Sequence, residues 1–167
     1  MIILGIDPGI GRMGYGVIER VGSKVRPIAY GLIETPSIAV PDRLQLIYEQ
    51  VQSLMDLHQP AQLATEQLHF AANKTTAFDV NRALGCVLLA SAQRNLGWAE
   101  YAPSQVKQAV VGNGAAQKSQ VAFMVTRILG LAAPPRPDDV ADALAIAICH
   151  AFRAPASSAA NNASPRG

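Results

Sequence analysis

Residues 2–16 read Ile-Ile-Leu-Gly-Ile-Asp-Pro-Gly-Ile-Gly-Arg-Met-Gly-Tyr-Gly, a β-branched apolar run that meets an acid and breaks into a glycine-rich turn. Pro8 leaves no room for a helix, so the stretch from Ile2 to Ile6 is expected to be a buried strand with Asp7 at its carboxyl end. This constrains the fold more than any other segment, because open α/β sheets bind ligands in the crevice beyond their strand ends. A lone Asp-Pro-Gly is also how an Asx turn closes a tight corner, and taken singly that is the ordinary reading. The remaining acids have to decide between the two.

The 167 residues suit one domain with a core large enough to stand without staples. Half are hydrophobic and only 5% are aromatic, which fits an α/β core built from Ala, Leu, Ile and Val. No window approaches the roughly 18 apolar residues of a membrane span, and Met1 leads directly into a strand; a cytoplasmic protein without a membrane partner is expected. Cys86 and Cys149 both lie in apolar runs and are expected to be buried free thiols. With a formal net charge of only +2, a polyanion would have to be held by local patches. The segment from Ala154 to Gly167 is biased to Ala, Ser, Asn and Pro and is expected to be a disordered tail, leaving residues 1–153 as the folded domain.

Along the chain, the glycines from Gly9 to Gly16 read as a turn, followed by alternation from Tyr15 to Arg20, a hairpin at residues 21–24 and a third strand from Val25 to Glu34. Leu44, Ile47, Val51, Leu54 and Met55 recur at helical spacing, and Gln59-Pro60 stops that helix. A brief strand from Ala61 to Thr65 ends on Glu66. After a polar loop, a second helix is expected from about Thr75 to Asn95 with Gly97 as its cap, then a strand from Trp98 to Tyr101. A short helix from Pro103 breaks at Gly112-Asn113-Gly114, another runs from about Gln117 to Leu129, and Pro134, Pro135 and Pro137 form a stiff linker. The last helix, from about Asp138 to Phe152, carries Val140, Ala143, Leu144, Ala147 and Ile148 as its buried stripe. Three strands, helix, strand, helix, strand and helices describe a mixed sheet begun by hairpins and completed by right-handed crossovers, which suits an RNase H-like α/β fold with a five-stranded sheet flanked by helices.

Glu66 ends its strand as Asp7 ends the first, so adjacent strands would bring two carboxylates to one rim. Asp138, Asp139 and Asp142 open the last helix, where the dipole favours acids. Asp142 lies a full turn in, among small packing residues, and needs a partner there; Asp139, three residues earlier, shares its face. Four converging carboxylates require a divalent cation, and an all-oxygen set selects Mg²⁺ or Mn²⁺ over Zn²⁺. The chemistry natural to such a site is two-metal phosphoryl transfer, with ions about 3.5–4 Å apart.

Gly5-Ile6-Asp7-Pro8-Gly9, Glu66-Gln67, Gln105-Val106-Lys107-Gln108 with Val110-Val111-Gly112-Asn113-Gly114, Lys118-Ser119-Gln120-Val121 and Asp139-Val140-Ala141-Asp142-Ala143-Leu144-Ala145 follow one another in an order and spacing that resembles the RuvC family of bacterial Holliday-junction resolvases. The resemblance runs from Met1 to about Phe152. It implies a homodimer that resolves four-way DNA junctions by paired nicks in recombination and repair, with two Mg²⁺ or Mn²⁺ ions per site and a RuvAB-like branch-migration complex as partner. It also implies that Asp7, Glu66, Asp139 and Asp142 are the catalytic, metal-binding quartet, although the spacing of Asp138 to Asp142 leaves a swap with Asp139 open.

The same resemblance places Lys107 and Lys118 near the scissile phosphate, and puts His69, Phe70, Asn73 and Lys74 in a loop that enters the junction. His69 stands where the family commonly has Phe, so the wedge role is shared between His69 and Phe70. Leu84 stands where an arginine is usual, which leaves the role of Arg82 open. The helix around Ala83, Val87, Leu88, Leu89 and Ala90 is apolar on more than one side and could serve both core and dimer. Tyr15, Trp98, His58 and His150 read as structural. An actin-like ATPase, a YqgF-type nuclease or a non-catalytic junction-binding module are the competing readings. The first needs a second lobe, the last is disfavoured by the intact acids, and the lysine motif favours RuvC over its shorter relatives.

Overall fold

In the computed structural model, which describes residues 1–67 and 74–155, the chain order is β1 (Ile2–Asp7), β2 (Arg12–Val21), β3 (Lys24–Glu34), α1 (Val40–His58), β4 (Gln62–Glu66), α2 (Lys74–Ala92), β5 (Gly97–Tyr101), α3 (Pro103–Val111), α4 (Lys118–Leu129) and α5 (Asp138–Arg153). The strands form one sheet in the order β3-β2-β1-β4-β5. β1 pairs antiparallel with β2 and parallel with β4, β2 pairs antiparallel with β3, and β4 runs parallel to β5. This is the mixed five-stranded sheet that the element order suggests. The wedge candidates His69 and Phe70 and the loop residue Asn73 lie outside the described residues, as do residues 156–167 of the expected tail.

Strand alternation sorts the two faces. Leu4, Ile6, Met13, Val17 and Leu63 pack with Ile47, Val51 and Met55 of α1 and with Ala83, Val87 and Ala90 of α2. Ile3, Ile18 and Ala64 point the other way, onto α5, which is backed by Val106 and Val110 of α3 and by Val121, Val125 and Leu129 of α4. Because α3 and α4 cover its outer side, α5 is buried nearly all round: Val140, Ala141 and every residue from Ala143 to Ala151 are buried. The sequence suggested a stripe; packing from both sides makes it a central helix.

Several local expectations change. The turn after β1 spans residues 8–11, while Gly14 and Gly16 lie within β2, opposite Asp7 and Gly5. Their small size serves a close approach. A Cβ at Gly14 would lie 2.0 Å from the Asp139 carbonyl oxygen, one at Gly5 would lie 2.3 Å from that of Ala143, and one at Gly16 would strike Leu144. Gly97 begins β5 rather than capping α2; that helix ends at Ala92, and the chain turns through Asn95 at φ 54, with Leu96 N–H donating to the Ser91 carbonyl at 3.1 Å. Cys149 is buried as expected, whereas Cys86 is only half-buried. No helix among the described residues is long and apolar enough to cross a membrane.

The close approach gives a direct test. Gly5→Ala and Gly14→Ala should each lower the unfolding free energy by about 2–4 kcal/mol, because backbone and not a flexible side chain stands in the way. Chemical denaturation would measure the loss, and wild-type midpoints in both variants would contradict this account of the packing.

Candidate active site

Asp7 falls on the α5 side of the sheet, two residues beyond Gly5 and four beyond Ile3. Glu66 keeps the phase of Ala64 and faces the same way at the end of β4. Ile6 stands beside Thr65 in the parallel ladder, so the two acids end adjacent strands at one rim. The glycine seat then brings the first turns of α5 down on this rim. The Asp139 backbone rests against Gly14, which is itself the partner of Asp7 in the β1–β2 ladder.

Their electrostatics show the convergence. The Asp7 carboxyl is pushed up to about 8, first by burial and then by the charges of Asp142, Glu66 and Asp139, in that order, with Lys118 opposing. Asp138 is absent from that set. It stands out in solvent, where Lys118 donates to its Oδ2 at 3.1 Å and draws its carboxyl below the usual range. The choice between Asp138 and Asp139 left open by spacing is thus weighted by geometry toward Asp139.

Two cations accompany the acids of α5. Lys118 Nζ also donates to Asp142 Oδ2 at 3.0 Å, and these partners hold its ammonium above its ordinary range. Arg12, at the start of β2, places Nη2 3.3 Å from Asp139 Oδ2. Nothing in the sequence singled out Arg12, because its position in a glycine-rich stretch reads as turn chemistry. A cleft of about 260 Å³ is lined by Asp7, Glu66, Asp142, Lys107 and Lys118, with Pro103, Val106 and Val121 as apolar walls. Lys107 on α3 is therefore brought to the acids as expected. Lys74 begins α2, and the other loop candidates fall outside the described residues. Arg82 is taken up by Asp79 on its own helix at 2.7 Å.

None of the four residues read as structural lines the cleft. His150 is buried with Nδ1 2.8 Å from the Tyr101 hydroxyl, and Trp98 Nε1 donates to Thr65 Oγ1 at 3.0 Å.

The donor set fits a hard divalent cation. Asp139 Oδ2 is buried and accepts no hydrogen bond, and Asp7 carries a carboxyl that burial and then repulsion keep protonated near neutrality; a dication relieves both conditions. Among the described residues, no three acids, histidines or cysteines are drawn into a ready-made cage in this structure. The α5 acids lean instead on Lys118 and Arg12.

Comparison with known proteins gives a consistent picture. The family model described as Crossover junction endodeoxyribonuclease RuvC matches residues 3–150. A protein of that name from Desulfitobacterium hafniense is 51% identical over 152 residues, covering 90% of this chain and 92% of its own. One from Brevibacillus brevis is 49% identical over 156 residues, covering 92% and 94%. Among solved structures, Thermus thermophilus RuvC in complex with a Holliday junction substrate superposes with a TM-score of 0.87 at 40% identity, covering 91% of this chain and 93% of that one. The yeast mitochondrial Holliday junction resolvase, at 16% identity and a TM-score of 0.67, shares the fold.

The crowding of Asp7 has a measurable sign. Its folded-state pKa of about 8 lies above the unfolded 3.8, so its contribution to stability is full below pH 4 and is lost as pH rises through 8. In chelator, Asp7→Asn should therefore melt above the wild type at pH 8.5, by about 2–4 kcal/mol, with the gap narrowing toward pH 5. Thermal melts across that range would check it; a gap that widens toward acid would contradict it.

Proposed function

We infer the reaction from one premise: the chain belongs to the RuvC family of crossover junction endodeoxyribonucleases. It has the RNase H-like fold and is a divalent-metal-dependent phosphodiester hydrolase that resolves four-way DNA junctions in recombination and repair. We propose that Asp7, Glu66, Asp139 and Asp142 hold two Mg²⁺ or Mn²⁺ ions. The observation that carries this assignment is the single carboxyl, Asp7, on which the charges of the other three act together.

Bound between these carboxylates, the ions supply Lewis acidity to the scissile phosphate and acidity to water. Asp7 is the acid coupled to all three others and would hold the ions together with them, once it has given up the proton that burial and crowding retain. Glu66 approaches from β4 and the Asp139/Asp142 pair from α5, so the acids come from three rigid elements rather than from a loop. Lys107 and Lys118 line the same cleft and hold the phosphodiester beside the acids by charge. Val106, Val121 and Pro103 keep water from one side of it. The products expected of in-line hydrolysis here are 5′-phosphate and 3′-hydroxyl ends that a ligase can rejoin.

The remaining assignments follow the family. Residues 1–153 form the resolvase domain, and His69, Phe70, Asn73 and Lys74 enter the junction centre. A homodimer presents two identical clefts to two strands of a near-symmetric junction. On the outer side of α2, Phe78 is 58% and Leu89 54% exposed, an apolar face that supports this helix as the dimer contact. A RuvAB-like motor is the partner that delivers the junction, and the cytoplasm is the compartment.

A synthetic four-way junction and a linear duplex of the same sequence, incubated with Mg²⁺, Mn²⁺ or chelator, test the reading. Symmetric, ligatable nicks in the junction alone are expected, dependent on the ion, with Asp7→Asn slower by at least about 10³-fold. Cleavage surviving in Asp7→Asn, or equal cutting of the duplex, would overturn it.

A further inference from the structure

Arg12 is the first residue of β2, and Gly14 and Gly16 continue its phase along the face that seats α5. The Asp139 backbone lies against Gly14. The register that seats the helix therefore also sets the Arg12 side chain over the Asp139 carboxylate. Nη2 stands 3.3 Å from Oδ2, yet Oδ2 accepts no hydrogen bond from it or from any other described residue. The contact compensates charge while leaving the oxygen's lone pairs free. At 55% exposure the guanidinium is held loosely and has solvent to move into, whereas the carboxylate is only 24% exposed.

Such a contact has two opposed effects on a cation that uses the same oxygen. It holds the carboxylate near the rim without a dication, and its own positive charge repels the dication from that oxygen. A hydrogen-bonded arginine would lock the acid; this one stands only as a competitor. We propose that Arg12 is the resident counter-ion of Asp139 and raises the divalent-ion concentration at which the active site loads. Arg12 is thus a positioning residue, and it makes the site's occupancy sensitive to the free divalent ion. This rests on the assignment of Asp139 as a cation ligand.

Manganese binding to the full-length protein without DNA, followed by the paramagnetic signal of free Mn²⁺, tests the idea independently of cleavage. Arg12→Gln should bind Mn²⁺ about three- to fivefold more tightly than the wild type, the size expected for removing an exposed charge at this range. Arg12→Lys, which keeps the charge, should bind like the wild type. Raising the salt should narrow the difference between Arg12→Gln and wild type. Unchanged or weaker binding in Arg12→Gln would overturn the proposal, as would Arg12→Lys behaving like Arg12→Gln. Asp139→Asn, titrated alongside, separates the two levels. Unchanged binding there would remove the ligand assignment itself, whereas weakened binding there with an unaltered Arg12→Gln would remove only the counter-ion.

Discussion

Everything at the rim depends on how closely α5 lies on β1 and β2. Gly5, Gly14 and Gly16 put no side chain of their own between sheet and helix, so backbone meets backbone at Gly5 and Gly14, and Leu144 fills the space over Gly16, at distances a single methyl would forbid. That contact does more than fill the core. It fixes the height of the first turns of α5 above the end of β1, and with it the separation of acids that belong to opposite ends of the chain. A helix held even one side-chain layer further out would bury the same apolar surface and have no site.

The acids are costly neighbours, and the surrounding structure offsets that cost in stages. Strand alternation turns Asp7 and Glu66 onto the α5 side of the sheet, where burial and mutual repulsion raise Asp7 far above an ordinary aspartate. Lys118 answers Asp142 and Asp138 together, and Arg12 answers Asp139. The two cations differ in kind. Lys118 donates hydrogen bonds and lines the cleft, while Arg12 only lies near its acid from the outer edge. One side of the site is held tightly and the other loosely, although both carboxylates stand on one helix three residues apart.

Much of this was legible in the sequence because it rests on short-range patterns. The run that ends at Asp7, the strand that ends at Glu66 and the helical spacing of Asp139 and Asp142 are periodicities that can be read directly. What escaped was non-local. Gly14 and Gly16 read as turn residues because a glycine carries no side chain to reveal its face, and only the position of α5 shows what their smallness is for. The burial of α5 on every side depends on α3 and α4, whose placement no local pattern encodes. Gly97 looked like a cap because a glycine after a helix usually is one, yet Asn95 supplied the left-handed turn first. The pairing of Arg12 with Asp139 joins the second strand to the last helix, and neither residue announces the other.

The position of α5 in chain order has a consequence for synthesis. It is the last of the elements among the described residues, yet it occupies the middle of one whole face of the sheet. A nascent chain that has emerged only as far as the proline linker has the strands of its sheet and its first two acids, but that face is without its central helix and the other two acids have not yet emerged. Assembly of the core and assembly of the site are therefore one event, completed only when α5 is in place. A copy that lacks α5 has neither a complete core nor a complete set of acids.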